Sequence, residues 1–299
     1  ESAAMNLVPN LPKKVQFLTT LSFSISSFLP WRRTFDGGRK GYDKDLLFLW
    51  LLIKKMLGWD YRTIADMADM SHSTLIRANT LFLAQGVYSR FFCHLVKHAY
   101  KKGIIQGEKV ALDSSFVPTF SGKEEDGSRG WNGKKETFGF KLHLLIDANT
   151  SFPIALILGD GLTHDSQVAI PLLKKARAWL KKCGYVLADK GYDDTKIVEY
   201  IAKKLKAKAG IPMRKGWTNK KGKKSGNFFN WKSKAVGRTC KKSILKLRSG
   251  IERVFSTLKR TFHLGHEETR GIQSFMKNVY LTLISFMLKK FYTEGSRCL

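Results

Sequence analysis

The sequence predicts an α/β fold, in which an α-helical N-terminal part precedes a mixed sheet with flanking helices. Three observations carry this. Up to about residue 105 the apolar residues recur at helical spacing. From residue 107 they gather into short runs of strand length, some of them alternating. After three such runs, helical stretches and strands take turns, as in a sheet with crossover helices.

In the helical part, "KDLLFLWLLIKKML" is apolar nearly all round, which predicts the central helix of a small domain. Asp60–Phe82, "DYRTIADMADMSHSTLIRANTLF", follows it. Ile64, Ala65 and Ala68 keep helical spacing, Met70-Ser71 interrupts, and Ser71 is placed to cap a second helix. Two short helices with a polar, capped second one predict a helix-turn-helix. Its second helix would bring Ser71, His72, Ser73, Thr74 and Arg77 near DNA base edges or phosphates. An ordinary helical hairpin fits the same pattern and stays open.

The strand-rich part begins with "KVALDSSFVP" (Lys109–Pro118), a buried strand reaching Asp113. "FGFKLHLLID" (Phe138–Asp147) alternates, and "SFPIALILGDG" (Ser151–Gly161) follows closely as the third strand of a meander. Next come "SQVAIPLLKKARAWLKK", a helix despite Pro171, and "YVLADKG", a fourth strand. "DDTKIVEYIAKKLKA" is a second helix and "AKAGIPM" a fifth strand. Three antiparallel strands followed by helix–strand–helix–strand is the order of an RNase H-like fold. A long helix, "ILKLRSGIERVFSTLKRTF", and a last one, "SFMKNVYLTLISFMLKKF", close the chain. The expected division is residues 1–105 and 106–299, with a basic, aromatic-bearing insertion at about 214–243.

With 53 Lys+Arg against 24 Asp+Glu, the formal charge is +29 and the pI near 10.0. A folded chain this basic calls for a polyanionic partner, and nucleic acid is the usual one. Cys93, Cys183, Cys240 and Cys298 are scattered, so neither a zinc site nor a disulfide framework is indicated. The longest strongly apolar run, Leu46–Ile53, is too short for a bilayer, and no signal peptide is visible. The expectation is a cytoplasmic, nucleoid-associated protein without membrane contact.

Three acids of the second part sit where the surrounding pattern does not need them. Asp113 and Asp189 end apolar strands. In "VLADKGYDDTK" the plain role for Asp189 is a turn former before Gly191, and the functional one is a group held at a strand tip. Glu252 lies beside the stripe of Ile244, Leu247, Ile251, Val254, Phe255, Leu258 and Phe262, aligned with Arg248 and Lys259. An i,i+4 pair of Arg248 with Glu252 on a solvated face is the plain alternative. Hard divalent cations prefer carboxylate oxygens. Two such ions about 4 Å apart can activate water and stabilise a leaving oxygen in phosphoryl transfer. Three carboxylates from two strands and a helix suffice for this, with nearby cations left to hold phosphates.

"ALDSSF", "KLHLLID", "THDSQ", "ADKGYDD" and "RSGIERVFSTLKR" resemble the successive signatures of DDE transposases of bacterial insertion sequences, over roughly residues 105–290. The resemblance implies an RNase H-like catalytic domain with Asp113, Asp189 and Glu252 as catalytic metal ligands. It implies Mg²⁺, with Mn²⁺ able to substitute, and two ions per site. It implies double-stranded DNA as partner, both terminal inverted repeats and target, and a homodimer in the synaptic complex. It implies DNA contacts from Arg248, Lys259 and Lys190, and makes His164, Asp165 and Tyr192 active-site neighbours. A loop cap by Asp165 stays open. The family often has a tyrosine three residues before the arginine; this chain has Leu245.

In the insertion, "NKKGKK" is read as contacting DNA ends, and Trp217 and Trp231 can stack flipped bases or pack a small hairpin. The reading is therefore a transposase that cleaves DNA at element ends and joins the 3′ ends to target DNA. A domesticated, inactive DNA-binding protein and an RNase H-like nuclease or resolvase are the alternatives.

Overall fold

A computed structural model describes residues 11–20, 24–29, 41–119, 128–132, 135–213, 237–238, 241–266 and 270–294. Contacts divide the chain into two compact units. One comprises Glu1–His98, Thr119–Gly127 and Thr257–Leu299, the other Ala99–Pro118 and Ser128–Ser256. Among the described residues, no helix is long and apolar enough to cross a membrane.

The first unit is helical. Its described N-terminal helices are α1 (Phe17–Thr20), α2 (Lys44–Leu57), α3 (Tyr61–Met67), α4 (His72–Ala84) and α5 (Val87–Lys101). Asp43 starts α2 by accepting the Asp45 N–H, and Gly58, in the left-handed region at φ 69°, ends it. Leu47 to Ile53 are all buried, as expected of a helix apolar all round, and α2 packs against the C-terminal helix Ile272–Thr293. Phe48 anchors an aromatic cluster, its ring 5.9, 5.7 and 5.3 Å from those of Phe82, Tyr88 and Phe91.

Buried Asn79 ties three helices together. Its Nδ2 donates to Tyr61 Oη at 2.6 Å, and its Oδ1 accepts from Tyr88 Oη at 2.6 Å. Tyr88→Phe leaves the Asn79 carbonyl oxygen without that donor in a buried place. The expected cost is about 1–2 kcal/mol. Urea unfolding of the full chain checks this, and an unchanged midpoint would remove the bond from the account.

The second unit is built on a mixed sheet. Its strands are β1 (Lys109–Pro118), β2 (Ser128–Asn132), β3 (Lys135–Asp147), β4 (Pro153–Asp160), β5 (Tyr185–Leu187) and β6 (Lys208–Gly210). β3 pairs antiparallel with both β1 and β4, while β1–β5 and β5–β6 are parallel. The resulting order, β4-β3-β1-β5-β6, is the RNase H-like one. β2 forms a hairpin on the N-terminal end of β3, a sixth strand that the sequence reading does not contain. Val110, Ala111 and Leu112 of β1 and Leu142, Leu144, Leu145 and Ile146 of β3 are fully buried, so the meander runs through the core.

Helices α6 (Asp165–Lys175) and α7 (Thr195–Lys204) make the two crossovers. His164, not Asp165, caps α6, by accepting the Ser166 N–H at 3.3 Å. The expected long helix is interrupted. It comprises α8 (Lys242–Leu245), a 3₁₀ turn (Lys246–Arg248) and α9 (Ser249–Arg260), and the C-terminal helix is α10. On α9, Ile251, Val254, Phe255 and Leu258 are buried as their spacing predicts. Asp147, at the end of β3, is buried and accepts four backbone N–H groups, from Gln106, Gly107, Asn149 and Thr150. It holds the β3–β4 turn and the entry to β1.

Candidate functional site

Parallel strands β1 and β5 each deliver an aspartate to the same end of the sheet. Their last paired residues are Ala111 and Leu187, and Asp113 and Asp189 each follow two residues later. Asp113 is not at the strand's end: β1 continues to Pro118, paired with β3. Asp189 does serve as a turn former, its Oδ1 accepting the Gly191 N–H at 2.7 Å. A Cβ on Gly191 would lie 2.8 Å from that same oxygen, so a larger residue there would push the Asp189 carboxylate out of its place. The turn use occupies one carboxylate oxygen and fixes the side chain, which is compatible with a functional role for the other.

Burial pushes the Asp113 carboxyl up to about 6, and the charges of Asp189 and Asp165 act in the same direction. The Ser114 N–H, which donates to Asp113 Oδ1 at 2.8 Å, and Arg248 act against it. Two carboxylates thus stand close enough to repel, on a partly buried ledge.

Glu252 reaches this ledge through Arg248. The guanidinium lies 2.9 Å from Glu252 Oε1 and 4.0 Å from Asp113 Oδ2. The i,i+4 pair expected as the plain alternative is therefore present. It is also more than that, because the same arginine faces Asp113. The Glu252 side chain is 54% exposed and paired with Arg248. Among the described residues, no three His, Cys, Asp or Glu side chains converge as a ready-made metal cage. Lys259 follows two turns later on α9, half-buried, with its ammonium pKa lowered by burial.

The other face of β1 carries a second polar group. Ser114 pairs with His143 and Phe116 with Lys141 in the β1–β3 register, so these four share one face, opposite Asp113. Asp165, from α6, accepts the Ser114 hydroxyl at 2.7 Å and lies 3.3 Å from Lys141 Nζ. Buried His143 stands 3.8 Å from the same carboxylate, and burial draws its pKa down to about 4. Buried Tyr192, from the turn after Asp189, has its pKa raised, first by burial and then by the charges of Asp165 and Asp113. Asp165 and Tyr192 thus stand beside the acid pair. His164 is taken up by the α6 cap, its Nδ1 2.8 Å from Ser166 Oγ. Ser114 and Lys141 have no place in the sequence reading. The signal for Lys141 was there in "KLH", a lysine and a histidine on one face of an otherwise apolar strand, whereas no local pattern marks Ser114.

In the helical unit, Ser71 accepts the Ser73 N–H at 3.3 Å and caps α4. Ser71, His72 and Arg77 are exposed, and Ser73 and Thr74 are half-buried. Lys190 is exposed next to Asp189. Trp217, Trp231 and nearly all of the 214–243 insertion lie outside the described residues.

Comparison with known proteins bears on the fold and the family. The chain is similar in fold to the piggyBac transposase synaptic complex with hairpin DNA (TM-score 0.50, 12% identity, covering 91% of this chain and 71% of that one). It also matches the Mos1 strand transfer complex (TM-score 0.25, 13% identity, covering 88% and 81%). A third match is the Mos1 mariner paired end complex with Mn (TM-score 0.24, 12% identity, covering 88% and 82%). Only the first of these supports the fold, and no curated protein matches. The family model described as "Transposase DDE domain" matches residues 106–288, a span that includes Asp113, Asp189 and Glu252. That match takes in well over half of the sequence, and the chain belongs to the transposase DDE domain family.

Proposed function

We propose that this transposase binds the terminal inverted repeats of its element, cleaves the DNA at their ends and joins the 3′ ends to target DNA. The observation that carries the reading is the aspartate pair, Asp113 and Asp189, each two residues past the last pairing of parallel neighbours β1 and β5, in a chain of net charge +29. The donor set fits a hard divalent cation. Asp113 and Asp189 are oxygen ligands whose mutual repulsion a cation would relieve, and Mg²⁺ is usually held by one or two carboxylates plus water and phosphate oxygens. Asp113 and Asp189 would hold Mg²⁺ or Mn²⁺, with Glu252 as a third ligand once its carboxylate leaves Arg248. When bound, such ions activate a nucleophile and neutralise charge on the transferring phosphoryl group.

The chain's own residues supply the rest. A DNA backbone would lie along the ledge, where Arg248, its side chain 32% exposed, can grip a phosphate beside the scissile bond with two parallel hydrogen bonds. Lys190 extends that grip, and Lys259 is a further candidate for phosphate contact. The α3–α4 pair serves as the helix-turn-helix that reads the ends through His72, Ser73, Thr74 and Arg77. Two copies would bring two ends together in the synaptic complex.

Arg248→Ala and Lys259→Ala are each expected to flatten the log–log salt dependence of end binding by about one unit. The folding midpoint of Arg248→Ala should stay close to wild type, since an i,i+4 pair open to solvent contributes about 0–1 kcal/mol. Slopes equal to wild type would leave both cations without a DNA role. Replacing His72, Thr74 and Arg77 together by alanine should abolish the footprint on terminal repeats while weaker binding to random DNA persists. An unaltered footprint would assign α3–α4 to an ordinary hairpin. The function as a whole is tested by incubating the chain with terminal-repeat DNA, a second duplex and Mg²⁺. Joined products are expected. Nicks without joining would indicate a nuclease, and binding without nicks an inactive relative.

A further inference from the structure

We propose that Ser114 and Asp165 are positioning residues for Asp113, with Lys141 as the counter-charge that keeps Asp165 in place. The inference rests on the metal-binding reading of Asp113 given above.

β1 is supported on both sides only over Lys109–Ala111, where it lies between β3 and β5. Beyond Ala111 its described strand pairing is with β3 alone, and Asp113 lies in that one-sided stretch. A carboxylate there needs another restraint if it is to meet a cation at fixed geometry. Ser114 supplies one with both of its polar groups. Its N–H donates to Asp113 Oδ1 at 2.8 Å, on one face of the strand. Its hydroxyl donates to Asp165 Oδ1 at 2.7 Å, on the other. A continuous link therefore runs from α6 through Ser114 to the Asp113 carboxylate.

Asp165 is itself held. Lys141 Nζ lies 3.3 Å from its carboxylate and also donates to the Thr163 carbonyl at 3.1 Å, which fastens the loop leading into α6. The loop is pinned a second time by Asp160, whose Oδ1 accepts the N–H groups of Leu162 and Thr163. His143 on this face is buried with its pKa drawn down to about 4, and Tyr192 is buried with its pKa raised, so among the described residues Lys141 is the cation paired with Asp165. A like charge placed so near Asp113 would only be tolerated with such a partner. Hydrogen-bonded supports of this kind orient ligating carboxylates, and their loss typically lowers metal affinity about 10–100-fold.

The test is Mn²⁺ binding to the full chain, followed by the electron paramagnetic resonance of free Mn²⁺, with thermal unfolding in parallel. Ser114→Ala is expected to weaken Mn²⁺ binding about 10-fold, and Ser114→Thr, which keeps the hydroxyl, to restore it. Asp165→Ala should weaken it equally. The double variant Ser114→Ala/Asp165→Ala should be no weaker than either single one, because both cut the same link. Should Asp165→Ala fail to fold, the two Ser114 variants decide alone. Wild-type affinity in Ser114→Ala, or losses that multiply in the double variant, would overturn the inference. Asp113→Asn is the control for the metal reading. If it binds Mn²⁺ as wild type does, that reading falls and this one with it. If it loses binding while Ser114→Ala does not, only the positioning role falls.

Discussion

Asp113→Asn, Asp189→Asn and Glu252→Gln are each expected to abolish cleavage of terminal-repeat DNA while leaving DNA binding nearly intact. The amide keeps the size of the side chain and removes the anionic oxygen that a hard cation needs. Metal-assisted stabilisation of a transferring phosphoryl group is worth several kcal/mol, so the expected loss is on the order of 10³-fold or more. The three are not equivalent in the fold. Asp113 and Asp189 sit on the sheet's ledge, whereas Glu252 is engaged by Arg248 at 2.9 Å. Single-turnover cleavage with Mg²⁺ as the only divalent ion measures the effect, and substantial activity in any one variant would remove that residue from the site.

The second large effect is on stability and has the opposite sign. Burial, helped by Asp189 and Asp165, raises the folded-state pKa of Asp113 from 3.8 to about 6. Between those values the folded chain holds a proton that the unfolded chain has lost. The favourable contribution is full below pH 4 and is lost as pH rises through 6, so at neutral pH the charged carboxylate is a cost. Two pKa units correspond to roughly 3 kcal/mol at most. Asp113→Asn should therefore raise the unfolding midpoint at pH 7.5 in metal-free buffer, by up to about 5 °C. The gain should vanish near pH 4, where both side chains are uncharged. Thermal melts of both proteins across this range test it, and a variant less stable than wild type at pH 7.5 would contradict the account. The substitution that stops cleavage is thus expected to stabilise the chain, as befits a site that gathers like charges for a cation to bridge.

The legible and illegible parts of the sequence divide by the range of the interactions. β1 was legible to the residue, because "KVALDSSFVP" is an apolar run bounded by turn residues, and α4 was legible from Ser71. The stripe of α9 followed from helical periodicity alone. β2 was not legible. "SRGWN" has no alternation and becomes a strand only because β3 offers it an edge. The position of Asp113 within β1 was misread for a related reason: polar Asp113-Ser114-Ser115 resembles a strand end, and only the pairing with β3 carries the strand past it. The cap of α6 fell to His164, because Asp165 is drawn to Ser114 and Lys141, partners 51 and 24 residues away that no local pattern shows. Asp147, the acid of "KLHLLID", ends the second strand of the meander. In the fold it is a structural acceptor for four backbone N–H groups.

The central claim is that Asp113 and Asp189 form the metal-binding heart of the site, and the most direct test is to ask where a bound ion sits. Fe²⁺ in place of Mg²⁺, with ascorbate and hydrogen peroxide, generates hydroxyl radicals that cut the polypeptide beside the ion. The account predicts fragments ending near residues 113 and 189 in the wild-type chain. These should be suppressed by excess Mg²⁺ and absent from Asp189→Asn. Fragments clustered elsewhere, or cuts near these residues that neither Mg²⁺ nor the substitution diminishes, would contradict it.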